Sequence, residues 1–137
     1  MLGTADRGLV MDLTEAALKG DVAACLALMD CAHERGADPV VVLQDMLELT
    51  HTLSRLVSVP SLAADPSLPE EERTRGAALA RTLTVPVLGR AWQMLLKGLQ
   101  ELQQDGVDKR AAAEMVLIRL AHVAELPTPG DLVKRLA

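Results

Sequence analysis

Residues 6–56 read DRGLVMDLTEAALKGDVAACLALMDCAHERGADPVVVLQDMLELTHTLSRL and predict three consecutive α-helices. An aspartate precedes each of three apolar-rich runs, in the position where its carboxylate caps a helix N-terminus. A glycine follows each of the first two runs, as is typical of helix ends. The capping aspartates are Asp6, Asp21 and Asp38. The predicted helices span 7–19, 22–35 and 39–57, and the short link between the last two predicts antiparallel neighbours.

The third of these helices has one apolar and one polar face. Its apolar residues recur at helical spacing: Val42, Met46, Leu49, Leu53 and Leu56. We expect this stripe to face a core. The residues predicted to face solvent are Asp45, Glu48, Thr52 and Arg55.

The rest of the chain predicts four more helices, over 69–82, 85–104, 109–125 and 129–136. Residues 58–68 are rich in proline and serine and predict a loop, in which Ser67 and Glu70 match a capping box. Apolar residues of the helix at 85–104 have the spacing of a coiled-coil-like seam. They are Leu88, Trp92, Leu95, Leu99 and Leu102. Since no useful length of sequence alternates with period two, the predicted fold class is all-α, a compact bundle of about six or seven helices.

The amino-acid composition limits the kinds of function that this chain can have. The chain has 137 residues, half of them hydrophobic, which suits one domain with a core of Leu, Val, Ala and Met. A net charge of −5 and a single aromatic residue, Trp92, argue against a domain that binds nucleic acid directly. No apolar run is long enough to span a membrane. Cys25 and Cys31 are badly placed for a disulfide, so we expect free thiols in a reducing cytoplasm.

Glu48 and His51 form the most tempting chemical motif. Glu-x-x-His on a helix presents ligands to di-iron centres, and a metal-binding protein or helical-bundle enzyme is therefore one hypothesis. Such a centre needs a second copy of the motif, and the sequence has only one. There is also no phosphate-binding loop and no cysteine cluster for zinc. We predict no catalytic, metal or cofactor-binding residues, and a solvated helix face for Glu48 and His51.

The helix at 109–125 is apolar on most of its circumference. Between Ala111 and Ala124 its only polar residues are Glu114, Arg119 and His122. Such a helix must be covered on most sides, either by its own chain or by another subunit. Both alternatives stay open from the residues alone, and Arg119 suits an ion pair in either.

The ordered set of motifs resembles the third domain of the bacterial DNA polymerase III tau/gamma subunit. The resemblance rests on Gly20-Asp21, Gly36, Asp38-Pro39, Leu43, Asp45 and His51. The tail EMVLIRLAHVAELPTPGDLVKRL, residues 114–136, is similar to alphaproteobacterial members. On this resemblance, residues 1–5 are the remnant of a preceding lid domain and residues 6–137 are the helical collar domain.

The resemblance implies a structural oligomerisation domain of the sliding-clamp loader used in DNA replication. In that family the collar joins tau/gamma copies to the delta and delta-prime subunits in a five-membered ring. ATPase domains of the AAA+ fold lie upstream, so this fragment is expected to be no enzyme, to need no cofactor and to act in the bacterial cytoplasm. The expected interface residues are Trp92, Leu95, Leu99, Arg119 and His122. An unrelated helical adaptor that binds a partner helix is a further alternative.

Overall fold

The computed structural model describes residues 6–124, 126 and 129–136, and within them every regular element is a helix. This confirms the all-α prediction. The α-helices are α1 Arg7–Leu18, α2 Val22–Glu34, α3 Pro39–Ser58, α4 Glu70–Ala80, α5 Val85–Leu102, α6 Lys109–Ala124 and α7 Pro129–Leu136, with a 3-10 turn at Pro60–Ala64. The predicted remnant at residues 1–5 lies outside the described residues.

The predicted helix starts are confirmed by their caps. Asp6 Oδ1 accepts hydrogen bonds from the amides of Gly8 and Leu9 at 2.8 and 3.3 Å. Asp21 and Asp38 cap α2 and α3 in the same way, each accepting one backbone amide bond. Caps of this kind stabilise a helix by about 1 kcal/mol each. The first three boundaries are therefore local properties of the sequence.

The predicted capping box at the start of α4 is wrong. Pro69 occupies the cap position, and no side chain there accepts a bond from α4. The amide of Ser67 instead donates to Asp65 Oδ1 at 2.9 Å, and this bond lowers the pKa of Asp65. Ser67 is therefore bonded within this turn and does not cap α4, while three glutamates in the first turn of α4 suit its dipole.

Helix α3 lies at the centre of the bundle, where α1, α4, α5 and α6 all pack against it. Its predicted apolar stripe is buried as expected. The prediction for Asp45 was wrong, because this residue is buried with only 7% of its surface exposed. Helices on several sides of α3 widen its covered face beyond the stripe, so Asp45 and Thr50 fall inside it. Thr50 satisfies its hydroxyl by donating to the carbonyl of Met46 at 2.8 Å.

Helices α5 and α6 approach closely, and this contact positions the surface described next. Gly98 of α5 is buried against Val116 of α6. The buried side of α6 faces the bundle through Ala113, Val116, Leu117, Leu120 and Ala121. Its other side is exposed, so neighbours within the chain cover α6 only in part.

Candidate interaction surface

The five predicted interface residues fall into two groups. Leu95 and Leu99 belong to the chain's own core, with 1% and 7% of their surfaces exposed. Trp92, Arg119 and His122 are exposed. The accessible part of the predicted surface is therefore these three residues, carried by α5 and α6.

Trp92 does not belong to the buried seam of α5, contrary to the coiled-coil-like prediction. The four leucines of that seam are buried, whereas 37% of Trp92 is exposed. The reason is geometric: Trp92 lies at the edge of the α3–α5 contact, where its ring meets that of His51. The ring centroids are 6.3 Å apart and the planes are tilted by 60°. An exposed, rigid aromatic ring supported from one side is a common anchor at protein interfaces.

His51, the histidine of the Glu-x-x-His motif, packs beside the ring of Trp92. Glu48, one turn before it, is exposed. Within the described residues, no three His, Cys, Asp or Glu side chains are grouped so that they could hold a metal ion. The Glu-x-x-His motif therefore lies on the exposed side of α3, beside Trp92 of α5.

Three large apolar residues on α5 face solvent along one line. Val85, Trp92 and Leu96 are 51%, 37% and 42% exposed. With exposed Gly89 between the first two, their spacing is that of one side of a helix, and we name Val85, Gly89, Trp92 and Leu96 the α5 stripe. Val85 and Leu96 were not among the predicted interface residues, although their offsets of seven and four residues from Trp92 were the available signal.

Helix α6 carries a second exposed line of residues. Ala111, Met115, Arg119 and His122 share its solvent side, and we name them the α6 stripe. Met115 is 51% exposed, which makes it the largest apolar contribution to this stripe. The α5 stripe and the α6 stripe belong to different helices and differ in composition.

Arg119 is paired within the chain. Its Nη2 donates to Glu101 Oε1 of α5 at 2.6 Å, and the bond lowers the pKa of Glu101. Both side chains stay partly exposed, at 46% and 33%. They border a shallow groove between α5 and α6 that is lined by Met94, Lys97, Gly98, Glu101, Val116 and Arg119. Arg119 thus joins α6 to α5 within the chain, and the rest of its side chain is exposed to solvent.

The two cysteines are free thiols, as predicted. Cys25 is fully buried, and burial together with nearby Asp21 raises its pKa to about 11. A thiol in that state is a poor nucleophile. Among the described residues, no helix is both long and apolar enough to cross a membrane.

Comparison with known proteins gives consistent matches along the chain. Residues 1–136 match the family described as DNA polymerase III subunits gamma and tau domain III. The chain is 32% identical over 136 residues to DNA polymerase III subunit tau of Escherichia coli K12, covering 98% of this chain and 21% of that protein. It is also 32% identical over 130 residues to the subunit tau of Salmonella typhimurium LT2, covering 94% of this chain and 20% of that protein. The chain thus spans about a fifth of the length of the curated relatives it matches.

Proposed function

The chain belongs to the family of DNA polymerase III gamma and tau domain III, and from this premise we propose that it is the oligomerisation domain of a clamp-loader subunit. In this role it assembles a pentameric collar with other tau/gamma copies and with the delta and delta-prime subunits. The collar holds the upstream ATPase domains close together, which raises their effective concentration for one another.

The observation that carries this proposal is the presence of two unlike exposed stripes on one bundle. The α5 stripe is mainly apolar, with Trp92 as its anchor, whereas the α6 stripe combines Met115 with Arg119 and His122. Contacts between two different surfaces are heterologous, and heterologous contacts close into rings when the rotation between subunits permits. An interface that pairs one surface with itself would instead give a twofold dimer.

The proposed role is structural and requires no chemistry in this domain. We propose that it binds neither cofactor nor nucleic acid, in keeping with its net charge of −5. The buried Cys25 thiol and the His51–Trp92 contact support this reading, because both place reactive side chain types in structural roles. The proposed site of action is the bacterial cytoplasm, where the replication machinery works.

Co-purification tests the proposal. The chain is produced together with delta and delta-prime from the same bacterium, and native mass spectrometry determines the stoichiometry of the product. We expect a complex that contains all three chains. A well-folded domain that passes through purification without either partner would refute the collar role.

A matched pair of variants locates the contact. We expect Trp92→Glu to reduce recovery of the complex about tenfold or more, because a charge would replace the aromatic anchor. Val59→Glu introduces the same charge at another exposed apolar residue, 47% exposed at the end of α3. Equal losses in both variants would show that the α5 stripe has no special part in assembly.

A further inference from the structure

Helix α4 has little apolar surface to hold it on the bundle. Its buried side consists of Glu72, Gly76 and Leu79, so a carboxylate shares that side with a single large apolar side chain. No side chain caps its first turn. A helix of 11 residues is marginal in water by itself, and helices in proteins are stabilised mainly by packing of an apolar face. Interactions other than apolar burial must therefore help to keep α4 in place.

Two ion pairs join α4 to α1, and we name them the α1–α4 ion pairs. Arg7 Nη1 lies 3.1 Å from Glu72 Oε1, and Arg75 Nη2 donates to Asp12 Oδ1 at 2.8 Å. The side chain of Glu72 is only 9% exposed, so loss of Arg7 would leave a buried charge without this partner. The second pair is more open, with side chains 33% and 51% exposed.

Clefts flank α4 on two sides. One of about 220 Å³ lies between α4, the 3-10 turn and the end of α3, and one of about 240 Å³ lies between α4 and α1. Each is large enough to hold several water molecules. Helix α4 comes close to α3 at Gly76, where an added Cβ would lie 3.0 Å from Cδ1 of Leu56. Solvent can thus reach α4 along two edges, and its apolar contact with the bundle is narrow.

We infer that α4 opens as a unit while the rest of the bundle stays folded, and that the α1–α4 ion pairs hold it closed. Segments with few buried apolar contacts open at a smaller free energy than a core does. The chain on either side of α4, at 65–69 and 81–84, is not helical and can absorb the movement. Opening uncovers Leu53 and Leu56 of α3, which are buried and lie within 4 Å of a Cβ placed on Gly76. The inference concerns the chain's own fold and does not depend on the proposed function.

The ion pairs also couple α4 to the start of α1, because Arg7 lies in the first turn of that helix. A displacement of this turn that breaks the Arg7–Glu72 pair favours opening of α4. By linkage, opening of α4 loosens the start of α1 by the same free energy. Helix α4 therefore responds to whatever moves the first turn of α1.

Hydrogen exchange monitored residue by residue by NMR tests the inference on the whole chain. The measured quantity is the protection of hydrogen-bonded amides, corrected for their intrinsic rates, under conditions in which exchange reports the opening equilibrium. We expect the amides of α4 to share one protection factor that is at least about tenfold smaller than that of α5. Protection in α4 equal to that in α5 would overturn the inference.

A destabilising change outside α4 separates local opening from unfolding of the whole bundle. Gly98→Ala disturbs the contact with Val116, which is present whether α4 is closed or open. It should therefore lower the protection of α5 about fivefold or more and leave that of α4 within about twofold. Arg110→Gln is a milder second variant, which removes the 2.7 Å pair with Asp30 between α6 and α2 and should show the same pattern. An equal loss of protection in both helices would show that α4 opens only when the bundle unfolds.

Variants of the α1–α4 ion pairs should act on α4 itself. We expect Arg7→Gln to lower the protection of α4 about tenfold or more, because Glu72 is buried, and Asp12→Asn to lower it about two- to fivefold, because that pair is more exposed. Protection in α5 should fall by no larger factor, since its unfolding breaks the same pairs. Unchanged protection of α4 in both variants would show that the ion pairs do not hold it closed.

Salt tests the role of charge in the same measurement. Raising NaCl from about 0.1 M to about 1 M shortens the Debye length from about 10 Å to about 3 Å. Protection of α4 in the wild type should fall about two- to fivefold, mainly through the exposed Asp12–Arg75 pair. The double variant Arg7→Gln and Asp12→Asn should lose most of this dependence. An equal salt dependence in the wild type and the double variant would assign the effect to other charges and refute the role of the α1–α4 ion pairs.

Discussion

A Cβ atom placed on Gly98 of α5 would lie 2.5 Å from Cγ2 of Val116 of α6. Such a distance is well inside van der Waals contact, so only a residue without a side chain lets the two helices pack as closely as they do. The close contact keeps the α5 stripe and the α6 stripe at a fixed separation. Gly98 is therefore a positioning residue for the proposed interface.

We expect Gly98→Ala to destabilise the domain by about 1–3 kcal/mol, the usual cost of overpacking a core. Alanine would gain about 1 kcal/mol of helix propensity, but the clash with Val116 outweighs that gain. Gly89→Ala on the same helix is the matched control. Apart from the backbone of α5 itself, nothing would lie within 4 Å of the added Cβ. That variant should be more stable than the wild type by about 0.5–1 kcal/mol in chemical denaturation. Two variants of equal stability would show that α5 and α6 can separate without cost.

The helices of this domain were predictable from sequence because their boundaries are local. Asp6, Asp21 and Asp38 cap the amides that follow them, and no tertiary contact is needed to place them. The burial of Asp45 was not predictable in this way, since it depends on how many helices surround α3. The position of Trp92 depends likewise on how α3 and α5 pack. It contacts His51, which lies 41 residues earlier in the sequence.

The pair of Arg119 and Glu101 predicts a pH-dependent contribution to stability. Because the bond lowers the folded-state pKa of Glu101, this carboxylate protonates more readily in the unfolded chain. The contribution is complete above the ordinary glutamate pKa of about 4.3 and is lost as pH falls through the lower folded value. We expect Arg119→Gln to cost less than about 1 kcal/mol at neutral pH, since the pair is largely exposed.

Denaturation of wild type and Arg119→Gln at neutral and acidic pH measures this difference. The gap between the two proteins should narrow as pH falls. Lys97→Gln is a useful control, because Lys97 is exposed on α5 and acts on Glu101 only through its charge. A gap for Arg119→Gln that stays constant with pH would mean that the arginine stabilises by packing rather than by its bond to Glu101.

Trp92 offers an internal probe of assembly because it is the only tryptophan in the chain. The residue is 37% exposed in the single chain. If the α5 stripe becomes covered on assembly, the fluorescence emission should move to shorter wavelength as water leaves the ring. This shift is followed while the partner subunits are titrated into the domain. Any tryptophan near the collar surfaces of those subunits is first replaced, so that Trp92 supplies the signal. An unchanged spectrum in a complex confirmed by native mass spectrometry would place Trp92 outside the interface.

The two thiols should differ strongly in reactivity. Cys25 is fully buried with a pKa raised to about 11 from 9.0, whereas Cys31 is only partly covered. Since the thiolate is the reactive form, a disulfide reagent at pH 8 should modify Cys31 readily and Cys25 at least about tenfold more slowly, because burial both raises the pKa of Cys25 and shields its sulfur from the reagent. The raised folded pKa also means that the unfolded chain loses the Cys25 proton first, so stability should fall as pH rises above about 9. Cys31→Ser isolates the slow thiol, and denaturant should restore its rate to that of an exposed cysteine. Rapid modification of Cys25 in folded Cys31→Ser would show that α2 opens away from the core far more often than its burial implies.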